Sequence, residues 1–280
     1  VLERPEIYFG ELTNHYIIVN TKEPEFDYPR LDAETIEPTF YEGSAGIPLV
    51  GFLRKLAFTL RFTDYQILVS GAITPDSRVI MNRNITEIAE TIAPFLEYDS
   101  DPYLVLANGN LYWIIDGYTV STRYPYSQPD SVTGVNYIRN SVKVVIDAYN
   151  GHTTFYCADS EDPILKTYQN IYPELTTSLE EMPAEVLKHV RFPEDMFKIQ
   201  ARMFTTYHMT DPRVYYNKED YWEIPKEMYG TQEVTVQPYY LLLALPMESE
   251  LEYVQMLPFT PRGKPNMTAW LAARCDAQHY

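Results

Sequence analysis

Two stretches of the sequence decide the fold: YLVLANGNLYWIID at residues 103–116 and VKVVIDAYNGHTTFY at residues 142–156. In each stretch, apolar and polar residues alternate on both sides of an Asn-Gly pair. Alternation with a period of two is typical of strands, and Asn-Gly supplies the positive φ angles that a tight hairpin turn requires. We therefore predict strands at residues 103–107, 111–119, 142–149 and 153–158, which form two hairpins of one four-stranded antiparallel sheet.

Helical periodicity occurs on both sides of these hairpins. The predicted helices span residues 47–62, 64–73, 84–96, 163–172, 183–189, 193–207 and 267–273. Several begin at a proline, which is tolerated at the first helical position, and Asn266 is placed to cap the last helix. The sequence thus predicts an α+β fold, in which an antiparallel sheet of hairpins packs against flanking helices.

Other segments extend this arrangement. Residues 15–19 are predicted to form a strand, residues 21–46 a surface loop, and residues 239–245 with 253–257 a third hairpin. We expect residues 1–280 to form one region, which divides most naturally into an N-terminal strand and helical segment at 1–98 and a hairpin sheet with C-terminal helices at 99–280.

Composition and charge exclude several functional classes. The 280 residues contain 22 basic and 39 acidic side chains, and the resulting charge of −17 argues against nucleic acid as a partner. The sequence contains no run of 18 apolar residues and none of the common phosphate-binding, zinc-protease or hydrolase motifs. We predict no cofactor and no metal, which favours a non-catalytic role.

The two cysteines and the two acidic segments each have two possible structural roles. Cys157 and Cys275 form a disulfide or remain two thiols. The acidic segments at 99–102 and 159–163 cap helices or hold calcium, and capping is favoured because neither segment matches a calcium-binding loop.

The loop at residues 123–141 contains arginines and tyrosines that suit ligand binding. The candidates are Arg123, Tyr124, Tyr126, Asn136, Tyr137 and Arg139. Guanidinium groups beside aromatic rings can bind an anionic or a carbohydrate ligand. Alternatively, these side chains fasten a long loop to the sheet by hydrogen bonds.

The segment TYHMTDPRVYYNKEDYW at residues 206–222 has the highest density of chemically active groups. His208 with Asp211 could act as a general base in a hydrolase or transferase. The structural alternative places His208 at the C-terminal end of a helix and Asp211 in a turn, because the residue before Pro212 avoids helical angles.

Two further features have both functional and structural interpretations. Asp116 and Asp147 occupy matching positions in the two hairpins and act as an acid/base pair or as solubilising charges at strand ends. Residues 47–62 lie within a stretch that has no acid between Glu42 and Asp64, so this helix binds an anionic membrane surface or packs into the core.

Several long stretches of the sequence resemble the UPF0182 family of uncharacterised bacterial and archaeal proteins. The matching stretches are RPEIYFGELTNHYIIVNT, ITPDSRVIMNRNI, IAPFLEYDSDPYLV, YPYSQPDSVTGVNYIRNSVKVVIDAY, RFPEDMFKIQ, YHMTDPRVYYNKEDYW and LPFTPRGKPNMTAWLAARCD. The resemblance implies the large soluble region of an integral membrane protein, outside the cytoplasmic membrane and next to its own transmembrane helices. It also implies a chain that continues beyond Tyr280, and it supplies no activity and no catalytic residues.

From these observations we expect an extracytoplasmic domain of a polytopic membrane protein that binds a ligand or protein partner in the cell envelope. A cell-envelope hydrolase or transferase that uses His208 is the alternative.

Overall fold

The computed structural model describes residues 2–29, 36–244 and 251–276. Within these residues the α+β fold is confirmed. The helices are α1 (Phe52–Phe62), α2 (Gln66–Val69), α3 (Ile85–Ile92), α4 (Pro163–Ile171), α5 (Ala184–Leu187), α6 (Glu194–Tyr207) and α7 (Pro212–Asn217).

The strands are short in the first third of the chain and longer in the middle and at the end. They are β1 (Ile17–Val19), β2 (Glu25–Pro29), β3 (Ile36–Thr39), β4 (Ile47–Pro48), β5 (Arg78–Ile80), β6 (Glu97–Tyr98), β7 (Tyr103–Ala107), β8 (Asn110–Ser121), β9 (Tyr137–Asp147), β10 (Thr153–Cys157), β11 (Thr176–Ser178), β12 (Trp222–Glu223), β13 (Lys226–Tyr229), β14 (Gln232–Thr235), β15 (Tyr239–Ala244), β16 (Leu251–Pro261) and β17 (Ala269–Arg274).

The two predicted hairpins form the centre of a six-stranded sheet. Its order is β11-β10-β9-β8-β6, with β7 paired to β8. Asn108 and Gly109 both have positive φ angles, as the hairpin turn requires. The sheet has six strands instead of the predicted four, because two short strands join it. β6 pairs antiparallel with β8, and β11 pairs parallel with β10.

Contacts divide the chain into two units. The first comprises Val1–Pro94, Leu104–Trp113 and Val145–Thr154, and the second comprises Phe95–Tyr103, Ile114–Val144 and Phe155–Tyr280. The hairpin sheet therefore contributes residues to both units.

The first unit has a small apolar core built around the sheet β1-β5-β4. Leu49, Ile67 and Val79 are buried there, and Phe58 and Phe62 of α1 pack against them. Helix α3 follows, and Asn84 caps it by accepting the N–H groups of Thr86 and Glu87.

The second unit contains a core between α6 and the sheet β12-β16-β15. Phe197 and Ala201 of α6 pack with Leu257 and Phe259 of β16. Strand β16 pairs with β15 as predicted for the third hairpin, whose residues 245–250 lie outside the described residues.

The predicted helix at residues 267–273 is wrong. This segment is strand β17, which pairs antiparallel with β16 and places Leu271 opposite Leu257. A short apolar run suits a strand as well as a helix, and here the open edge of β16 supplies hydrogen-bond partners that decide the outcome. Asn266 consequently caps no helix.

Other predicted segments need smaller corrections. The loop at 21–46 contains the antiparallel pair β2–β3, and the helix at 64–73 is reduced to α2 because Ser70 is extended. Strand β9 begins at Tyr137, so Tyr137 and Arg139 lie on the sheet and not in the loop. Helix α7 and the hairpin β13–β14 were not predicted.

Helix capping explains one acidic segment. Asp162 accepts the N–H groups of Ile164 and Leu165 at the start of α4, directly before Pro163. Capping at residues 159–163 is therefore confirmed. In the part of the chain that the structure describes, no group of three or more His, Cys, Asp or Glu side chains is arranged to hold a metal ion.

Both cysteines are free thiols, so of the two alternatives the unpaired one is correct. Across residues 2–29, 36–244 and 251–276, we find no helix of the length and apolar character that a membrane span requires.

Candidate functional site

A buried ion pair holds the loop between β8 and β9, residues 122–136, against helix α6. Arg202 donates from Nε and Nη2 to the two carboxylate oxygens of Asp130, at 2.8 and 2.9 Å. The Asp130 side chain is almost fully buried, and the Arg202 side chain is mostly buried. A two-pronged contact of this kind fixes both the position and the orientation of the loop.

Asp130 also organises the turn that follows it. Its Oδ2 accepts the N–H of Thr133 at 2.9 Å and the Thr133 hydroxyl at the same distance. Burial raises the pKa of Asp130, but the hydrogen bonds from Arg202 and Thr133 outweigh that effect and lower it to about 2. The carboxylate is therefore ionised throughout the physiological range, and Arg202 neutralises its charge.

A cleft rich in tyrosine lies beside this ion pair, between the loop, the end of α6 and helix α7. We call it the tyrosine cleft. Its volume is about 450 Å³, and it is lined by Gln128, Pro129, Asp130, Ser131, Arg202, Met203, Thr205, Thr206, Tyr207, Tyr215, Tyr216, Lys218 and Tyr221.

Local structure explains why these tyrosines meet. Asp211 caps α7 by accepting the N–H groups of Arg213 and Val214, and Pro212 occupies the first helical position. Because α7 begins only a few residues after α6 ends, Tyr215 lies close to Tyr207, with ring centroids 5.7 Å apart. Tyr216, the next residue, is 86% exposed and presents its ring to solvent.

A second cleft, of about 480 Å³, is more apolar. Its walls include Val120, Val132, Val135, Ile138 and Ile199. Lys198 lies at this cleft, and its ammonium group is held by Glu194 at 2.8 Å and by Asp195 at 3.2 Å. We call it the apolar cleft; Arg202 lines both clefts.

A buried polar network lies in the same unit. Lys143 donates to Asp116 and, at 3.2 Å, to the carbonyl oxygen of Arg191. Both side chains are fully buried, and burial raises the pKa of Asp116 and lowers that of Lys143 against their mutual attraction. Asp116 is thus not a solubilising charge at a strand end, and that interpretation was wrong for this residue.

Asp147 has a different role from Asp116. Its Oδ1 accepts the N–H groups of Tyr149 and Asn150 at 2.7 and 3.0 Å, which closes the second hairpin turn. Each of the two carboxylates has its own structural partners, so the geometry gives no support to their use as an acid/base pair.

The six predicted ligand-binding residues fall into two groups. Arg123, Tyr124 and Tyr126 are exposed at the start of the loop. The Asn136 amide, in contrast, binds the backbone N–H and carbonyl oxygen of Tyr124.

The two candidate residues on β9 also form hydrogen bonds within the protein. The Tyr137 hydroxyl donates to Asp162 at 2.8 Å, and Arg139 donates to Asp159 at 2.9 Å. These contacts join β9 to the segment that precedes α4, and ligand binding by the six residues stays a prediction.

His208 lies at the C-terminal end of α6, as expected for the structural alternative. Its ring stacks on Trp222, with centroids 3.5 Å apart. Nδ1 lies 2.9 Å from the carbonyl oxygen of Phe204, and Nε2 lies 2.8 Å from that of Asp220.

The Asp220 carboxylate is 3.7 Å from Nε2 of His208, beyond hydrogen-bond distance, and Asp211 is engaged in capping α7. With a carbonyl oxygen at each ring nitrogen, the imidazole has no nitrogen directed at a substrate. Catalysis by His208 and Asp211 stays a prediction without support from this geometry.

The residues that build the tyrosine cleft were not among the predicted site residues. The tyrosine doublet after an Asp-Pro cap was a local signal for Tyr215 and Tyr216, because that dipeptide can start a helix as well as end one. Nothing local signals the pairing of Asp130 with Arg202, which are 72 residues apart.

Comparison with known proteins gives the family. A model of an uncharacterised protein family, UPF0182, matches residues 1–280. The chain belongs to the UPF0182 family. No solved structure matches it significantly.

Similar UPF0182 proteins occur in several organisms. One from Desulforamulus reducens is 51% identical over 280 residues, which are 100% of this chain and 30% of that protein. One from Alkaliphilus metalliredigens is 51% identical over 277 residues, 99% of this chain and 29% of that protein. One from Methanospirillum hungatei is 46% identical over 284 residues, 100% of this chain and 31% of that protein. The chain spans about 30% of the length of these relatives.

Proposed function

We propose that this chain is an extracytoplasmic ligand-binding region of a polytopic membrane protein, and that it binds a carbohydrate in the tyrosine cleft. The resemblance of the sequence to the family supports the proposed cellular location, and the residues of the cleft support the proposed ligand class.

The composition of the tyrosine cleft supports a carbohydrate ligand. Tyr207, Tyr215 and Tyr216 provide flat aromatic faces, which suit the apolar C–H faces of sugar rings. Gln128 and Thr206 add hydrogen-bonding groups of both donor and acceptor type. The lining is mainly polar and the tyrosine rings supply its apolar part, a combination that suits the hydroxyl groups and the apolar C–H faces of a sugar.

The charges around the tyrosine cleft narrow the class of ligand further. Of the ionic side chains that line the cleft, Asp130 and Arg202 neutralise each other and Lys218 adds one positive charge. The chain as a whole carries −17, which repels a polyanion. A neutral or weakly acidic glycan fits this balance better than a phosphate-rich ligand.

The loop gives the cleft a defined shape before a ligand arrives. Because the Asp130–Arg202 pair is mostly buried and hydrogen-bonded at both oxygens, residues 128–131 are held against α6. A preformed wall lowers the entropy that ligand binding costs.

A glycan array that includes cell-wall fragments tests the ligand class, followed by titration of any glycan that binds. We expect Tyr216→Ala to weaken binding roughly tenfold, since an aromatic contact contributes up to about 1.4 kcal/mol. Tyr229→Ala is the matched control, because Tyr229 is 80% exposed on strand β13 and is not among the cleft residues. The absence of glycan binding, or equal loss in both variants, would contradict the proposal.

The location needs a separate experiment on the full-length protein. Alkaline phosphatase and green fluorescent protein are fused in turn within this region. An active phosphatase and a dark fluorescent protein are expected for an extracytoplasmic region, and the opposite pair of results would overturn the location while leaving the ligand class open to its own test.

A further inference from the structure

Helix α1 leaves an apolar face uncovered. Leu53 and Leu60 are 78% and 73% exposed, and Phe52 is also mostly exposed. The opposite face is occupied, because Phe58 and Phe62 pack against the core of the first unit. One face of α1 is therefore packed against the core, and the other face is exposed to solvent.

The exposed side chains form a continuous stripe. Leu53, Ala57 and Leu60 follow one another at i, i+4 and i+7, which places them on one face of the helix. Val50 before the helix and Tyr65 after it are also exposed. A contiguous apolar patch on an otherwise polar surface marks a site of interaction.

Positive charge accompanies this stripe. Arg54 and Arg61 are spaced by seven residues and lie along one margin of the stripe. No acidic residue occurs between Glu42 and Asp64, although the chain as a whole carries −17. A basic stretch of an acidic chain thus coincides with an exposed apolar helix face.

We propose that the exposed face of α1 docks on a lipid bilayer that contains anionic phospholipids. Leu53, Leu60 and Phe52 enter the boundary between headgroups and acyl chains, while Arg54 and Arg61 contact the phosphates. This surface belongs to the first unit and serves a role separate from the tyrosine cleft.

Charge argues for the bilayer over a second copy of the chain. In a symmetric dimer the exposed face of α1 would contact the same face of the second copy, and Arg54 and Arg61 would face their own copies. A surface of anionic headgroups instead attracts both arginines and accepts the apolar stripe at the same time.

Flotation with lipid vesicles tests this docking on the 280-residue chain. We expect the chain to float with vesicles of phosphatidylcholine and phosphatidylglycerol at low salt and to remain behind with phosphatidylcholine alone. Arg54→Gln/Arg61→Gln should lower the partition coefficient roughly 25-fold, since each cation near an anionic surface contributes about a factor of five.

The apolar stripe is tested by Leu53→Glu/Leu60→Glu, which changes only exposed side chains and should abolish flotation. Leu12→Glu/Met228→Glu is the matched control, because it makes the same change of charge at two other exposed positions, of which Leu12 is 91% exposed. Circular dichroism confirms that the variants are folded. The proposal is overturned by no flotation at low salt, by equal flotation with neutral vesicles, or by variants in α1 that float as the control does.

Discussion

Replacement of Asp130 by asparagine tests whether the buried ion pair fixes the loop that forms one wall of the tyrosine cleft. The variant keeps the shape of the side chain but removes the charge that Arg202 neutralises. A mostly buried Arg202 would then lack its anionic partner, and one carboxylate oxygen that accepts from the loop would become an amide nitrogen.

The pKa of Asp130 gives the expected magnitude. Its fall from 3.8 to about 2 corresponds to roughly 2.5 kcal/mol of stability from the ionised carboxylate, at about 1.36 kcal/mol for each tenfold change. We therefore expect Asp130→Asn to lower the free energy of unfolding by about 2–3 kcal/mol at neutral pH.

The pH dependence has a definite sign. Because the pKa is lower in the folded chain, the stabilisation is fully present above the ordinary value of 3.8 and is lost as the pH falls towards about 2. The difference between wild type and variant should therefore shrink over that interval, measured down to the lowest pH at which both are folded.

Urea denaturation followed by tryptophan fluorescence measures this difference, since Trp222 and Trp270 belong to the same unit as Asp130. Asp76→Asn removes an exposed carboxylate and serves as the control. A loss below about 0.5 kcal/mol at neutral pH, the range of ordinary surface substitutions, would refute the reasoning, as would a difference that does not change with pH.

Two further predictions concern stability. Lys143→Met should lower the free energy of unfolding by about 3–5 kcal/mol because it leaves Asp116 buried without its ion-pair partner, whereas Asp116→Leu/Lys143→Met should restore most of that loss. Thermal unfolding of wild type, the single variant and the double variant tests this. Equal destabilisation by the single and double variants would contradict it. Gly151→Ala should lower stability by at least about 1 kcal/mol, because Gly151 has φ +70° and a Cβ there would lie 2.5 Å from the ring of Phe9. Gly71→Ala, which meets no neighbour within 4 Å, is its control, and similar melting temperatures for the two variants would show that the turn is not constrained.

The sequence predicted those parts of the fold whose signals are local. Asn108-Gly109 determines a turn within a few residues of the strands it joins, so the hairpins were found. The strand β17 was missed because its apolar run fits either type of structure, and only pairing with β16 decides between them.

Prediction of the candidate site is limited in the same way, because its contacts join residues that are distant in sequence. Asp211-Pro212 was interpreted as the end of a helix, but the aspartate caps the next helix and so carries Tyr215 and Tyr216 into the cleft. Asp130 and Arg202 form their contact across 72 residues, which periodicity and spacing cannot reveal. Burial of Lys143 against Asp116 likewise depends on neighbouring strands, and the sequence alone suggested exposed charges.

The most direct test of the proposed function is isothermal titration of the 280-residue chain with a cell-wall glycan, compared with the Tyr216→Ala variant. Wild-type binding with an affinity roughly tenfold above that of the variant, at unchanged thermal stability, is the predicted result. No heat of binding for wild type, or the same affinity in both proteins, would contradict a carbohydrate site in the tyrosine cleft.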